Sequence, residues 1–394
     1  MNQHSGEREE DEDAEEKKQS LCKIFKKLDL EKVDPYLENK EHKRSIFRLS
    51  RYIKEKNPSL YEPKQVSIGP NHYGKTHLML MQIHKERALI HFLRRSKLPL
   101  QSYLDKLMKV VNELREAYEQ LDQMEAWKDD AAFVMLMMLD GVFLLEFLRV
   151  SRGSRYTHDY ASSDPIFGHI ANTLIYDSVM HDLLLLENQL PYLVLHILVS
   201  ISEDLPDESA KSILSWLMFA PKCGPGLHLL DMYLKGLMRE GQHSYWDDEM
   251  IVKHPASKLH KRGIQFKRVQ SLNGINFDKI TATLKLPPII INQYTPSTVL
   301  NLKTYELRVG KTRDFNSYIH LINTLVESRQ DVMLLQSKGI IVNYLGSHEL
   351  VLETIKEIWK DTAVDVNSRS IIVVKEMNKY YEGNKAKRCW KVWR

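Results

Sequence analysis

Six polar side chains interrupt two of the most apolar stretches of a 394-residue chain, and any chemistry would start with them. Asp140 and Glu146 sit inside AAFVMLMMLDGVFLLEFL (131–148), and Asp182, Glu187, Asn188 and Gln189 belong to DLLLLENQLPYLVL (182–195). An ionised carboxylate among hydrocarbon is costly unless paired or hydrogen-bonded, so such acids either find partners or take up the raised pKa that suits acid-base work. On a helix, Asp140 and Glu146 would point about 120 degrees apart and Asp182 and Glu187 about 140 degrees apart, so neither helix alone presents a carboxylate pair. A catalytic or metal site made of Asp140, Glu146, Asp182 and Glu187 therefore needs both helices to converge. The competing reading is structural: each acid caps a kinked helix end or bonds to arginine and backbone groups across the core.

The rest of the catalytic vocabulary is missing. There is no G-x-S-x-G elbow, P-loop, G-x-G-x-x-G, H-E-x-x-H or EF-hand loop, which weighs against an ordinary enzyme. Cys22, Cys223 and Cys389 lie too far apart for a zinc site and read as free thiols of a reducing compartment. His72, His77, His84 and His91 have no acid or cysteine at ligand spacing and read as surface histidines, so neither a metal nor a cofactor is expected. Residues 253–268, KHPASKLHKRGIQFKR, hold six Lys/Arg and no acid. This makes Lys253, Lys258, Lys261, Arg262, Lys267 and Arg268 candidates for an anion patch, with a solvated basic helix end as the plainer alternative. A net charge of only +4 provides no whole-protein footprint for nucleic acid.

The elements that must position these residues are mainly helical. The chain is 43% hydrophobic and 27% charged, enough to build a sizeable core. Segment 131–148 has the length of a membrane span, but each acid costs roughly 2.5 to 3.5 kcal/mol at the bilayer centre, so a buried helix enclosed by others is expected. Helical spacing also marks 78–93, one long helix from about Pro99 to Trp127, and a helix opened by Asp164-Pro165 that Pro191 kinks or restarts. Further helices are read at 227–239 and 348–359, with a mobile loop through Trp246 between the basic patch and the helix before it. LKLPPIIIN and NLKTYEL read as short strands separated by the turn QYTPST. The expectation is one large helical domain with a small β element in its C-terminal half, at 21–360, after a disordered acidic segment 1–20 and before a basic aromatic tail 361–394. Leu21, Ile24, Phe25 and Leu28 give that domain an amphipathic start.

Five blocks in order carry a resemblance: YEPKQVSIGPNHYG (61–74), FVMLMMLDGVFLLEFL (133–148), SDPI (163–166), DLLLLENQLPYLVL (182–195) and DVMLLQSKGIIVNYLGS (331–347). With the weaker matches GIQF, LKLPPIIIN and NLKTYE, the chain resembles the plant family called domain of unknown function 247 from roughly Ser45 to Lys360. The resemblance implies a large helical domain facing the cytoplasm, followed by one C-terminal membrane helix, with some grass members implicated in pollen-stigma self-recognition. It implies no established biochemical activity. The sequence departs from the family pattern at Val142, at Ser50 and in the basic character of Lys258 and Lys261.

The chain ends at KRCWKVWR, where the family's membrane helix would follow. Residues 375–394 hold seven Lys/Arg against Glu376 and Glu382, net +5. Lys385, Lys387, Arg388, Trp390, Lys391, Trp393 and Arg394 are therefore candidates for contact with a membrane surface, where cations meet anionic headgroups and tryptophan suits the interface. Without a secretory signal or a transmembrane helix in this chain, the expected place is the cytoplasm, peripheral at the plasma membrane. The expected function is non-enzymatic recognition or signalling through a protein partner near a membrane, the alternative being an enzyme using the four carboxylates.

Overall fold

The apolar segment with two acids forms the axis of the fold. A computed structural model describes residues 44–392 except 154–158, 218–224, 239–253, 311–312, 361, 363–364 and 366–367, and gives no account of the side chains of Trp216 and 383–392. In chain order the helices before the strands are α1 (Arg51–Lys56), α2 (Leu80–Ser96), α3 (Leu100–Met108), α4 (Val111–Glu116), α5 (Asp130–Ser151), α6 (His169–Leu183), α7 (Tyr192–Ser202), α8 (Asp207–Leu217), α9 (Leu229–Met238) and α10 (Ala256–Lys261). Helix α5 is started by Asp129, whose carboxylate accepts from the amides of Ala131 and Ala132. It is buried around most of its circumference because α2, α3, α6 and α7 all pack on it. Long and apolar enough to cross a bilayer, it is instead mostly enclosed by protein. Gly141 brings α7 close: a Cβ there would stand 2.7 Å from Leu198 Cδ1 and 2.9 Å from Val194 Cγ1.

The C-terminal part is mixed. Strands β1 (Gln265–Arg268), β2 (Asn276–Asp278) and β3 (Thr283–Leu286) form one sheet in the order β1-β3-β2. Phe266 and Phe277 both register against Leu284, from a parallel and an antiparallel neighbour respectively. Strand β4 (Ile289–Ile291) pairs in parallel with β5 (Ile341–Asn343). Around these pack α11 (Thr295–Val309), α12 (Asp314–Leu325), α13 (Arg329–Ser337), α14 (His348–Trp359) and α15 (Arg369–Val392). The molecule is mainly helical with a small β element in its C-terminal half.

Several elements differ from the sequence expectation. The helix expected over 99–127 breaks into α3 and α4 and then short turns, because Ala117 and Tyr118 leave the helix to pair with Ile46. Asp164-Pro165 opens a turn, with Asp164 Oδ1 accepting from the amides of Ile166 and Phe167, and α6 begins one turn later at His169. NLKTYEL is helical, not a strand. QYTPST is not a turn between strands but leads into α11 at Thr295, where Pro296 fits the first turn, since amides there have no intrahelical acceptor. The tail expected from 361 belongs partly to the core: Val373, Val374 and Met377 are buried, and the Tyr380 ring sits edge-on to Phe277 at 5.4 Å. Residues 1–43, the loop expected through Trp246, Cys22 and Cys223 lie outside the described residues.

Among the described residues there are two hydrophobic clusters. One surrounds α5 and runs from Ile46 to Met232; the other contains Leu49 and Tyr61 and then residues from Leu184 to Met377. Helix α6 ends at Leu183 and α7 restarts after Pro191, and the segment between feeds both cores: Leu183 and Leu190 enter the first, Leu184 and Leu186 the second.

Candidate functional site

The seam between the two cores gathers five of the residues singled out by sequence, Asp140, Asp182, Glu187, Asn188 and Gln189. Residues 57–79 cross it as an irregular segment with only short 3-10 turns, so its amides need acceptors other than a helix or sheet ladder. The buried side chains supply them. Asp182 accepts from the amides of Lys64 (2.8 Å), Gln65 (2.6 Å) and Val66 (2.9 Å). Asn188 accepts from the Ile68 amide at 2.7 Å and donates to the Val66 carbonyl at 3.0 Å. Asp140 accepts from the Gly69 amide at 2.7 Å, and Glu187 from the Leu49 amide at 2.8 Å. Gln189 donates to the Leu183 and Leu185 carbonyls and accepts from the Leu230 amide, fixing the turn that presents Asn188. Gly69 is required where the segment comes nearest: its φ is +73°, and a Cβ would lie 2.5 Å from the Gln189 carbonyl oxygen and 2.9 Å from the Tyr118 hydroxyl.

Each carboxylate has its own compensation. Lys85, 1% exposed, meets Asp140 at 2.5 Å and donates to the Ser67 carbonyl at 2.6 Å. Burial pushes the Asp140 carboxyl up from its ordinary value while Lys85 and the Gly69 amide pull it back. Glu146 is held by Arg95, by the Tyr160 hydroxyl at 2.9 Å and by Arg149 at 3.5 Å. Burial, reinforced by Glu146, pushes the Tyr160 phenol up. Glu187 pairs with Lys54 at 2.5 Å and lies 3.8 Å from both Arg48 and His72. His72 is buried, not a surface histidine, and burial lowers its pKa. Glu187 is not on a helix, so the expected helical angle to Asp182 does not exist. The four acids keep separate sets of partners, and no group of histidine, cysteine or carboxylate side chains among the described residues is arranged to hold a metal.

One arrangement was not visible in the sequence. His181 Nδ1 lies 2.9 Å from Asp182 Oδ1, and its Nε2 lies 3.0 Å from Ser297 Oγ. Because a carboxylate only accepts, Nδ1 donates to Asp182, and the order Ser-His-Asp is that of a nucleophile relay. Its chemistry is nevertheless directed elsewhere. Ser297 has a single proton, which goes to the Leu60 carbonyl at 2.5 Å and so is not offered to His181; it is 2% exposed and absent from the wall of the nearby cavity, so the cluster ties α6 to α11 and to the segment before Tyr61. The only local signal is the His-Asp dipeptide; Ser297 is 116 positions away from His181.

Beside this relay a cavity of about 510 Å³ lies between α6, α9, α11, α12 and residues 287–292. His181 is the relay member that reaches its wall, and none of Asp140, Glu146, Asp182 and Glu187 lines it.

The other sequence candidates lie apart from this seam. Lys258 and Lys261 on α10, Arg262 after it, and Lys267 and Arg268 on β1 are exposed, with the Arg262 guanidinium 5.8 Å from the Tyr381 ring centre. Lys253 lies outside the described residues, as do Trp393 and Arg394 and the side chains of Lys385, Lys387, Arg388, Trp390 and Lys391.

Comparison with known proteins gives a consistent result. The model of a family described as a plant protein of unknown function, DUF247, matches residues 46–394. The chain is 27% identical over 376 residues to the UPF0481 protein At3g47200 of Arabidopsis thaliana, covering 85% of this chain and 76% of that protein. It is 29% identical over 143 residues to the putative UPF0481 protein At3g02645 of the same plant, covering 34% of this chain and 25% of that one. No solved structure matches.

Proposed function

Since the chain belongs to the plant DUF247 family of proteins of unknown function, we propose that it is a non-enzymatic recognition protein whose interior polar residues hold a rigid scaffold and whose outer helices bind another protein. The carrying observation is that each of the four acids able to do chemistry is occupied by backbone amides or by its own cations, and none reaches the cavity. An interior satisfied in this way stabilises a shape rather than presenting reactive groups.

The proposed face is the outer side of α2. Leu80, Ile83 and Ile90 are 78%, 61% and 48% exposed. At 100 degrees per residue they fall within a sector of about 80 degrees that also carries Arg87 and Arg94, which makes an exposed face of apolar side chains interleaved with cations. Arg94 and Lys97 are exposed at its end, so the complementary partner presents an apolar patch with an acidic rim. The test is affinity purification from plant extract, followed by titration of the purified partner against wild type and Leu80→Glu/Ile83→Glu of equal thermal stability. At least tenfold weaker binding by the variant is expected. Equal affinity removes this face, and recovery of no stoichiometric partner removes the reading.

The proposal places the protein in the cytoplasm, in contact with the plasma membrane through its basic C-terminal segment. The support is the net charge of +5 over 375–394, where each Lys or Arg near an anionic surface contributes about 1 kcal/mol. Met377 is in the core, so the deletion that tests this begins after it, at 383. Full-length protein should sediment with anionic vesicles and not neutral ones, and the protein lacking 383–394 with neither. Equal soluble fractions in all four cases remove the membrane contact.

A further inference from the structure

We infer that the cavity of about 510 Å³ at the seam of the two cores is a binding site for an uncharged, mostly apolar small molecule carrying a hydroxyl group, of the size class of a terpenoid or phenolic compound. The recess opens to solvent past Tyr233 and Ile290, which are 37% and 53% exposed, and a concave apolar cleft with few polar groups is the usual form of a small-molecule site. Its floor is apolar: Leu302, Phe315 and Tyr318 are each buried, and Ile289 and Val299 continue it.

The polar wall is sparse and already largely engaged. The Tyr318 hydroxyl donates to the Pro287 carbonyl at 2.9 Å, the Thr295 hydroxyl lies between Ile290 O and Asn292, and both ring nitrogens of His181 are taken by Asp182 and Ser297. Thr298, Tyr233 and Asp177 also line the cavity, and no hydrogen bond engages their side-chain oxygens among the described residues. These oxygens suit a ligand hydroxyl.

Charge narrows the class further. Among the described residues the wall contains the carboxylate of Asp177 at its exposed edge and no lysine or arginine. The nearby Lys64 is not part of the wall and stands over the ring of Tyr294, 5.2 Å from its centre. An anionic ligand would leave water to face a carboxylate without a partner cation, so phosphates, sulfonates and carboxylates are excluded. The bound molecule would touch α6 from the first half and α11 and α12 from the second, next to the relay from Asp182 to Leu60.

The test uses two fluorescent probes with the full-length protein: uncharged N-phenyl-1-naphthylamine and the anion 1-anilinonaphthalene-8-sulfonate. Wild type should bind the neutral probe saturably at one site, and the anion at least tenfold more weakly. Thr298→Phe fills the cavity from α11 and should weaken the neutral probe at least tenfold with an unchanged melting temperature. Asp177→Lys, on an exposed position that leaves the core intact, should strengthen anion binding at least fivefold. Absence of saturable neutral-probe binding by folded wild type overturns the proposal. So does equal neutral-probe binding by wild type and folded Thr298→Phe; should that variant fail to fold, unchanged anion binding by Asp177→Lys overturns it instead.

Discussion

The two halves of the molecule bury charge in different ways. Around α5, acids reach across the fold: Asp140 holds the Gly69 amide from 71 residues away, Asp182 the Lys64 amide from 118, and Glu187 the Leu49 amide from 138. In the C-terminal half the buried acids mostly serve nearby helix ends. Glu306 accepts from the Phe315 and Asn316 amides at the start of α12, at 2.8 and 2.9 Å. Asp331 completes a capping box with Ser328 at the start of α13 and also accepts from the Ser257 amide. Even the buried Lys303 works as a cap, donating to the Ile358 and Lys360 carbonyls at the end of α14. The difference teaches that the first half depends on polar side chains to attach a segment with no ladder of its own, while the second uses them to finish elements already formed by packing.

That comparison breaks most visibly at Lys85. Either Asp140→Ala or Lys85→Met leaves the other group charged and unpaired in the core, and should cost about 3–5 kcal/mol by urea denaturation. The double variant Lys85→Met/Asp140→Leu should recover most of that loss. Additive losses would mean that the two groups do not act as a pair.

His228 tests the seam by pH. Its Nε2 donates to the Ser45 carbonyl at 3.0 Å and its Nδ1 accepts from the Asp231 amide at 3.3 Å, so it is held neutral. Burial lowers its pKa from 6.5 to about 4. The unfolded chain takes up the proton first as pH falls, so the contribution is complete above about 6.5 and is lost as pH falls toward 4; this shift corresponds to about 3 kcal/mol. Urea midpoints between pH 7 and pH 4 should fall more steeply for wild type than for His228→Gln.

The smallest effect is expected at a local cap. Asp331→Ala should cost about 1–2 kcal/mol in the same denaturation measurement. A loss as large as that of Asp140→Ala would erase the distinction between the halves.

Legibility in the sequence follows the same division. The enclosed helix α5 could be read from apolar residues on all sides, and α14 from its amphipathic spacing, because both signals are local. Ser328 and Asp331 stand at capping-box spacing, again within one turn. Lys85 also left a trace, lying on the face of α2 that carries Met81, Ala88 and Phe92. The acids Asp140, Glu146, Asp182 and Glu187 were recognisable as buried, but their partners were not. Nothing near Asp182 announces that residues 64–66 will need acceptors, and nothing near His181 announces Ser297. NLKTYEL misled because its alternation fits a strand, whereas Leu302, Tyr305 and Glu306 are buried at helical spacing on α11.

The central claim, that the seam acids hold the irregular segment and do no chemistry, is tested most directly by native-state hydrogen exchange. The amides of Lys64, Gln65, Val66, Ile68 and Gly69 lie outside regular helix and strand, yet all five bond to buried side chains. They should exchange as slowly as the amides in the middle of α5. Exchange at the rate of an open loop, while α5 stays protected, would contradict the account.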